Sequence, residues 1–170
     1  NYQLVAGRLI TYHLRKQVYG QFEPPALKEI VDTNIANKMY DPLLRKWYDD
    51  KEFDQLEKWI DHKRDENYTY AAMEQFRGKY LVQDRYSEKV FETPQVALML
   101  IAATLFHRYP KETRMKWVKD FYDSVSKFEI SLPTPVMAGV RTSIRQFSSC
   151  VLSESGDSLD SINATAASIV

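Results

Sequence analysis

The sequence predicts a mainly α-helical protein that closes on a strand–turn–helix unit. Three observations carry that reading. Apolar residues recur at helical spacing through most of the first 125 positions. Residues 96–106 are apolar on most faces, which requires a helix buried on most sides. From Ile130 the character changes to a two-proline loop, a short β-capable run, a glycine and a capped helix.

Tyr2, Val5, Leu9 and Tyr12 share one face of a first helix that runs to about Tyr19, where Gly20 stops it. Pro24-Pro25 enforces an extended linker. Leu27, Ile30, Val31 and Ile35 mark a second amphipathic helix. Pro42 starts a short helix through Trp47, and Phe53, Leu56 and Ile60 mark another with a polar outer face. Tyr80-Leu81-Val82 and Val90-Phe91 flank a polar turn and read as a small hairpin. Thr93-Pro94 supplies an N-cap and a proline at the first helical position. Pro110 interrupts, and Met115, Val118, Tyr122 and Val125 define one more long helix. Ser131-Leu132-Pro133-Thr134-Pro135 reads as a loop. Residues 147–152 are a candidate buried strand, broken by Gly156. Asp157 is placed to cap a helix through Ile162, with Asp160 adding negative charge to its first turn. This last unit would be the first element of an α/β sheet or barrel. Asn1 and Val170 both fall inside helical patterns without start or stop signals. The chain is therefore expected to be an internal piece of a longer polypeptide.

A chain of 170 residues suffices for one domain with a real core, and 44% apolar with 27% charged residues is a globular mix. Lys plus Arg and Asp plus Glu are equal at 23 each. That neutrality argues against a duplex DNA binder, which needs a basic surface to displace counterions. A single cysteine argues against a disulfide scaffold and for a reducing, cytoplasmic setting. No signal peptide is visible, and residues 96–106 are too few for a bilayer span of about 20 residues. Neither nucleic acid nor membrane is expected as a partner.

Zinc-ligand spacing, a phosphate-cradling glycine loop and a serine elbow are all missing, so no metal is expected. His13, His62 and His107 lie far apart and read as surface or packing residues. Asp49-Asp50 and Asp61-His62-Lys63-Arg64-Asp65-Glu66 read as solvated helix faces of mixed charge. Cys150 divides two readings. Between apolar neighbours a cysteine is ordinarily a small buried hydrophobe. At a strand end behind Ser148 and Ser149, it is also a candidate for chemistry. On a strand, Ser148 and Cys150 would share a face, with Ser149 opposite. Gly156-Asp157-Ser158-Leu159 offers free N–H groups to an anion, or is simply a capped helix.

Several segments are similar to one family. They are Ser131-Leu132-Pro133-Thr134-Pro135, Gly139-Val140-Arg141-Thr142, Arg145-Gln146-Phe147-Ser148-Ser149-Cys150-Val151-Leu152 and Gly156-Asp157-Ser158-Leu159-Asp160-Ser161-Ile162-Asn163-Ala164-Thr165. They strongly resemble the large, catalytic subunit of class I ribonucleotide reductase, nearest the bacterial and phage class Ia type. The resemblance extends to His13-Leu14-Arg15-Lys16, Tyr19-Gly20-Gln21-Phe22-Glu23-Pro24-Pro25, Tyr70-Ala71-Ala72 and Gly78-Lys79-Tyr80-Leu81-Val82-Gln83. It implies the end of an ATP-cone at 1–20, an N-terminal helical domain at 21–130 and the start of a ten-stranded α/β barrel at 131–170.

That resemblance implies reduction of ribonucleoside diphosphates to deoxyribonucleotides by thiyl-radical chemistry. Cys150 matches the first member of the redox cysteine pair. Thr134 and Ser149, with Cys150, match substrate-contacting positions. Asp157, Ser158 and Leu159 match the start of the specificity site for an ATP or deoxynucleotide effector, on a helix of the homodimer interface. His13 and Lys16 match the overall activity site. It implies no cofactor on this chain, a radical from a metal-containing small subunit, and resetting by a thioredoxin- or glutaredoxin-type reductant. The family's radical cysteine, second redox cysteine and most of its barrel have no counterpart in these residues, so the 170 residues alone are expected to be inactive. The competing reading is a non-catalytic helical module that binds nucleotide or protein, with a structural Cys150.

Overall fold

The computed structural model describes residues 2–169, and they are mainly helical. Helix α1 spans Tyr2–Tyr19, and Gly20 follows at φ +73°, a left-handed stop that suits glycine. Next come α2 (Leu27–Ala36), α3 (Leu43–Trp47) and α4 (Asp50–Trp59). A 3₁₀ turn at His62–Asn67 leads to α5 (Tyr70–Gln75), which widens into a π-helical turn at Phe76–Tyr80. Strands β1 (Gln83–Asp84) and β2 (Lys89–Val90) form a minimal antiparallel hairpin, with Gln83 opposite Val90. Helices α6 (Pro94–Phe106), α7 (Lys111–Ser126), α8 (Thr134–Gly139) and α9 (Leu159–Ser168) complete the order.

The centre is α6. Each residue from 94 to 103 is buried, as an all-round apolar helix demands. Helix α7 lies along it, placing Val118 and Tyr122 in the core. Helix α1 crosses α5 and the 3₁₀ turn so closely that a Cβ on Gly7 would sit 2.0 Å from the Tyr68 carbonyl oxygen. Only glycine permits that approach. Arg114 of α7 binds both carboxylate oxygens of Glu52, at 2.6 and 2.7 Å, and thereby ties α7 to the start of α4.

Several expectations change. Asp49 and Asp50 stay exposed among mixed charges as expected, and Asp49 in addition caps α4 in a reciprocal capping box with Glu52, while Asp50 pairs with Lys28 and Arg45. The Asp61–Glu66 run is not a solvated face, because Asp65 is wholly buried. The hairpin sits later on its first strand than its apolar residues suggested: Leu81 and Val82 turn inward as core, and the ladder begins at Gln83. The Thr93 side chain makes no capping bond and instead meets the Tyr19 hydroxyl at 3.2 Å. Thr134-Pro135 opens α8 rather than extending the loop, since proline at the second position of a helix loses no hydrogen bond. Ser158, not Asp157, caps α9. Residues 147–152 form no strand and are exposed, with Val151 at 89% and Leu152 at 97%. A strand needs a ladder partner, and no other segment of the described residues runs beside this one.

Asp65 joins α1, α6 and α7 around one buried point. Its Oδ1 accepts from Gln95 Nε2 at 3.0 Å, and Gln95 Oε1 accepts from the Tyr122 hydroxyl at 2.7 Å. Arg15 lies 3.9 Å from Asp65 Oδ2, too far for a hydrogen bond, and gives its Nη2 to the His62 carbonyl. Burial outweighs that distant cation and raises the Asp65 pKa to about 7. Burial, with the nearby Arg15 charge, lowers the His62 pKa to about 4. The stability from Asp65 is complete below its ordinary pKa of 3.8 and is lost as pH rises through about 7. The stability from His62 is present above 6.5 and is lost as pH falls through about 4. Between pH 4 and 6.5 the two slopes oppose, each about 1.4 kcal/mol per pH unit for one proton. Chemical denaturation of His62→Gln across that window should show stability falling with pH. Asp65→Asn should show it rising, and slopes unchanged from the parent would contradict this assignment.

Candidate functional site

Glu92 and Arg141 are both wholly buried, 49 residues apart in sequence. Arg141 follows α8, and its Nε donates to the two Glu92 oxygens at 3.0 and 2.8 Å. Nη1 donates to the Met137 carbonyl, and Nη2 to the Tyr80 carbonyl at 2.8 Å and to Glu92. The Tyr40 hydroxyl and the Val82 amide also donate to Glu92, at 2.5 and 2.7 Å. Burial alone would lower the Arg141 pKa, but the Glu92 carboxylate more than offsets it. Tyr40 moves well above the usual phenol range through burial and the same carboxylate. The cluster is a satisfied ion pair in a dry core, joining the end of α8 to the turn after α2, the π-turn and the entry to α6.

That joint fixes the root of the cysteine segment. The Asp41 amide donates to the Arg141 carbonyl at 3.0 Å, and Arg145 pairs with the Asp41 carboxylate. Asp41 is itself pinned, since its other oxygen accepts from the Leu43 amide at 2.9 Å. The Thr142 hydroxyl donates to the Gly139 carbonyl at 2.7 Å. Phe147 folds back toward α8, its ring edge 3.5 Å from where a Cβ on Gly139 would stand. Beyond Phe147 the chain leaves the body.

Cys150 is an exposed free thiol, so the buried-hydrophobe reading fails for the described residues. Its Sγ lies 3.6 Å from the Ser149 hydroxyl, and without a strand the two-face argument no longer applies. Thr134 is exposed at the first turn of α8, and no hydrogen bond among the described residues joins it to Ser149 or Cys150. Ser158 Oγ accepts from the Ser161 amide at 3.2 Å, and Ser161 Oγ from the Gly156 amide at 2.7 Å. Asp157 and Leu159 are exposed beside them, Leu159 at 78%. Helix α9 buries no residue. His13 and Lys16 share an exposed face of α1: His13 flanks a shallow depression with Tyr70, Glu74 and Arg77, and Lys16 Nζ lies 5.7 Å from the Phe22 ring centre. The predicted residues thus occupy four places: the first turn of α8, the cysteine segment, the start of α9 and the outer face of α1. His107 stacks on Trp47 at 3.8 Å, a packing role, and the described residues hold no metal-ligating group of three. None of their helices is long and apolar enough to cross a membrane.

The geometry is that of an all-helical support carrying an exposed thiol segment, and comparison with known proteins gives that support a family. Residues 66–145 match the family described as ribonucleotide reductase, all-alpha domain. That span covers the π-turn, the hairpin, α6, α7, α8 and Arg141. Across all 170 residues the chain is 55% identical to ribonucleoside-diphosphate reductase 1 subunit alpha of Escherichia coli K12. It is 53% identical to the subunit alpha of Haemophilus influenzae and 47% identical to that of Enterobacteria phage T4, again over its full length. The chain is therefore similar along its whole length to part of the ribonucleotide reductase large subunit, and its residues 66–145 carry that family's all-alpha domain. It spans 22% of the length of these relatives.

Glu92, Asp41 and the supporting role of Arg141 escaped the sequence reading. Arg141 stood inside a quoted motif, but nothing local tells a buried arginine from a solvated one. Hydrogen exchange separates root from segment. The Thr142 amide, bonded to Gly139 at 2.9 Å, should be protected, and amides 148–152 should exchange at near-unprotected rates. Cys150 should react fully with a thiol reagent without denaturant. Protection of Val151 and Leu152 would contradict this division.

Proposed function

We propose that the protein containing this chain reduces ribonucleoside diphosphates to 2′-deoxyribonucleoside diphosphates. The observation that carries the proposal is the 55% identity over every residue of the chain to a reductase alpha subunit. The exposed Cys150 thiol on a segment rooted by Arg141 and Arg145 supports it. In this reading a thiyl radical elsewhere in the protein removes the ribose 3′ hydrogen, and the 2′ hydroxyl leaves as water. Cys150 and a second cysteine outside the chain give up two electrons and become a disulfide. Exchange with an external dithiol returns them to thiols. Thr134 and Ser149 contact the substrate beside Cys150.

Asp157, Ser158 and Leu159 begin a deoxynucleotide or ATP specificity site, and the bare apolar face of α9 serves the homodimer. His13 and Lys16 belong to a second, ATP- or dATP-binding site. A metal-containing small subunit supplies the radical. Residues 131–170 begin an α/β barrel, whose further strands would give residues 147–152 the ladder partners they lack here.

The test is Cys150→Ser in the complete large subunit, assayed with small subunit and dithiol reductant. Steady-state turnover should fall about a thousandfold or more, because the redox pair acts as a unit. Turnover near the parent rate would overturn the assignment. The 170 residues alone, given the same partners, should produce no deoxynucleotide, and measurable product would refute that expectation.

A further inference from the structure

We infer that the cleft beside the π-turn binds a small phosphate-bearing organic anion. The cleft has a volume of about 490 Å³, within the usual range for small-molecule sites. Its rim carries Lys38, Lys79 and Arg85, and no carboxylate lines it. Met39, Leu81 and Ile144 add apolar lining, and Gln83, Thr142 and Ser143 add polar groups. The three cations form no ion pair among the described residues; Arg85 donates only to the Gly78 carbonyl, at 3.2 Å. Lys28, Lys111, Lys116 and Lys119 each hold a carboxylate, whereas among the described residues Lys38, Lys79 and Arg85 stand without one around a single concavity. Three unpaired cations at one concavity repel each other and focus a positive potential that an anion relieves.

Two backbone features at the same place are independent of charge. Lys38 stands at φ +60°, directly after the C-cap of α2, where glycine is the favoured residue. Glu88 and Phe128 share that left-handed conformation, and of the three only Lys38 lines this cleft. Lys79 lies on the π-helical turn, a rare geometry that concentrates at functional sites. That widened turn frees carbonyls, and they are answered from within: Gln83 donates to Arg77 and Gly78, and Arg141 to Tyr80. The turn is therefore held rigid by the buried core, with Lys79 presented outward. A lining that combines three cations with apolar side chains suits a phosphate ester with a flat apolar body better than a bare inorganic ion. None of this depends on the proposed reductase activity.

The experiment titrates the complete protein that contains this chain with 1-naphthyl phosphate, inorganic phosphate and a short polyglutamate peptide, read by calorimetry and amide NMR shifts. Naphthyl phosphate should bind most tightly, with shifts centred on Lys38, Lys79, Gln83 and Ser143. Lys79→Gln should weaken it at least about tenfold. Lys38→Gly should weaken it similarly while raising the melting temperature, because glycine relieves the backbone. Undiminished binding by both variants, shifts centred elsewhere, or naphthyl phosphate binding no tighter than inorganic phosphate would each overturn the inference. Tighter binding of the peptide would do the same, by making the cleft a protein-docking surface.

Discussion

The buried pair of Glu92 and Arg141 is the constraint on which the remaining geometry depends. An unpaired charge at that depth would cost several kcal/mol, so each member is tolerable only because the other is present. Glu92 stands two residues before α6, the helix around which the core is built. Arg141 stands two residues after α8 and nine before Cys150. Tyr40, Val82, Tyr80 and Met137 complete the shell, so one ion pair draws together elements that are far apart in the chain. Two consequences follow from it. The π-turn is braced from beneath and presents Lys79 outward. The segment toward Cys150 leaves from a fixed root and then runs free.

Apolar surface is distributed unevenly around this core. Helices α6 and α7 close on each other, and α1 is sewn to them through Asp65, whose carbonyl accepts from the Thr11 hydroxyl and whose carboxylate accepts from Gln95. Exposed apolar residues include Tyr2, Val5 and Leu9 on the outer face of α1 and Leu159 and Ile162 on α9. Those two faces flank the positions that the proposed function assigns to nucleotide effectors.

Much of this was legible in the sequence because helical periodicity is a local signal. The all-round apolar run at 96–106 has no other stable outcome than a central helix, and Gly20 and the short helix from Pro42 follow from backbone preferences alone. The failures share one cause. Residues 147–152 have strand propensity, but a strand is defined by its neighbour, and propensity names no neighbour. Asp65 sits in a run of charges whose pattern matches a solvated face, and only the crossing of α1 over the 3₁₀ turn buries it. Thr134-Pro135 carried both a loop signal and a helix-start signal, and local statistics could not rank them. For the site, the motif around Cys150 was readable as a resemblance, whereas Glu92 and Asp41 act at long sequence separation through contacts that no spacing encodes.

A double-mutant cycle on Glu92→Gln and Arg141→Met, measured by urea denaturation, tests the central claim most directly. Each single change should cost about 3–5 kcal/mol, because it strands its partner in the core. The double change should cost far less than their sum, with a coupling of about 2–3 kcal/mol. The Asp41 amide, bonded to the Arg141 carbonyl, should lose its exchange protection in both single variants. Additive losses below about 1 kcal/mol, with that amide still protected, would contradict the account.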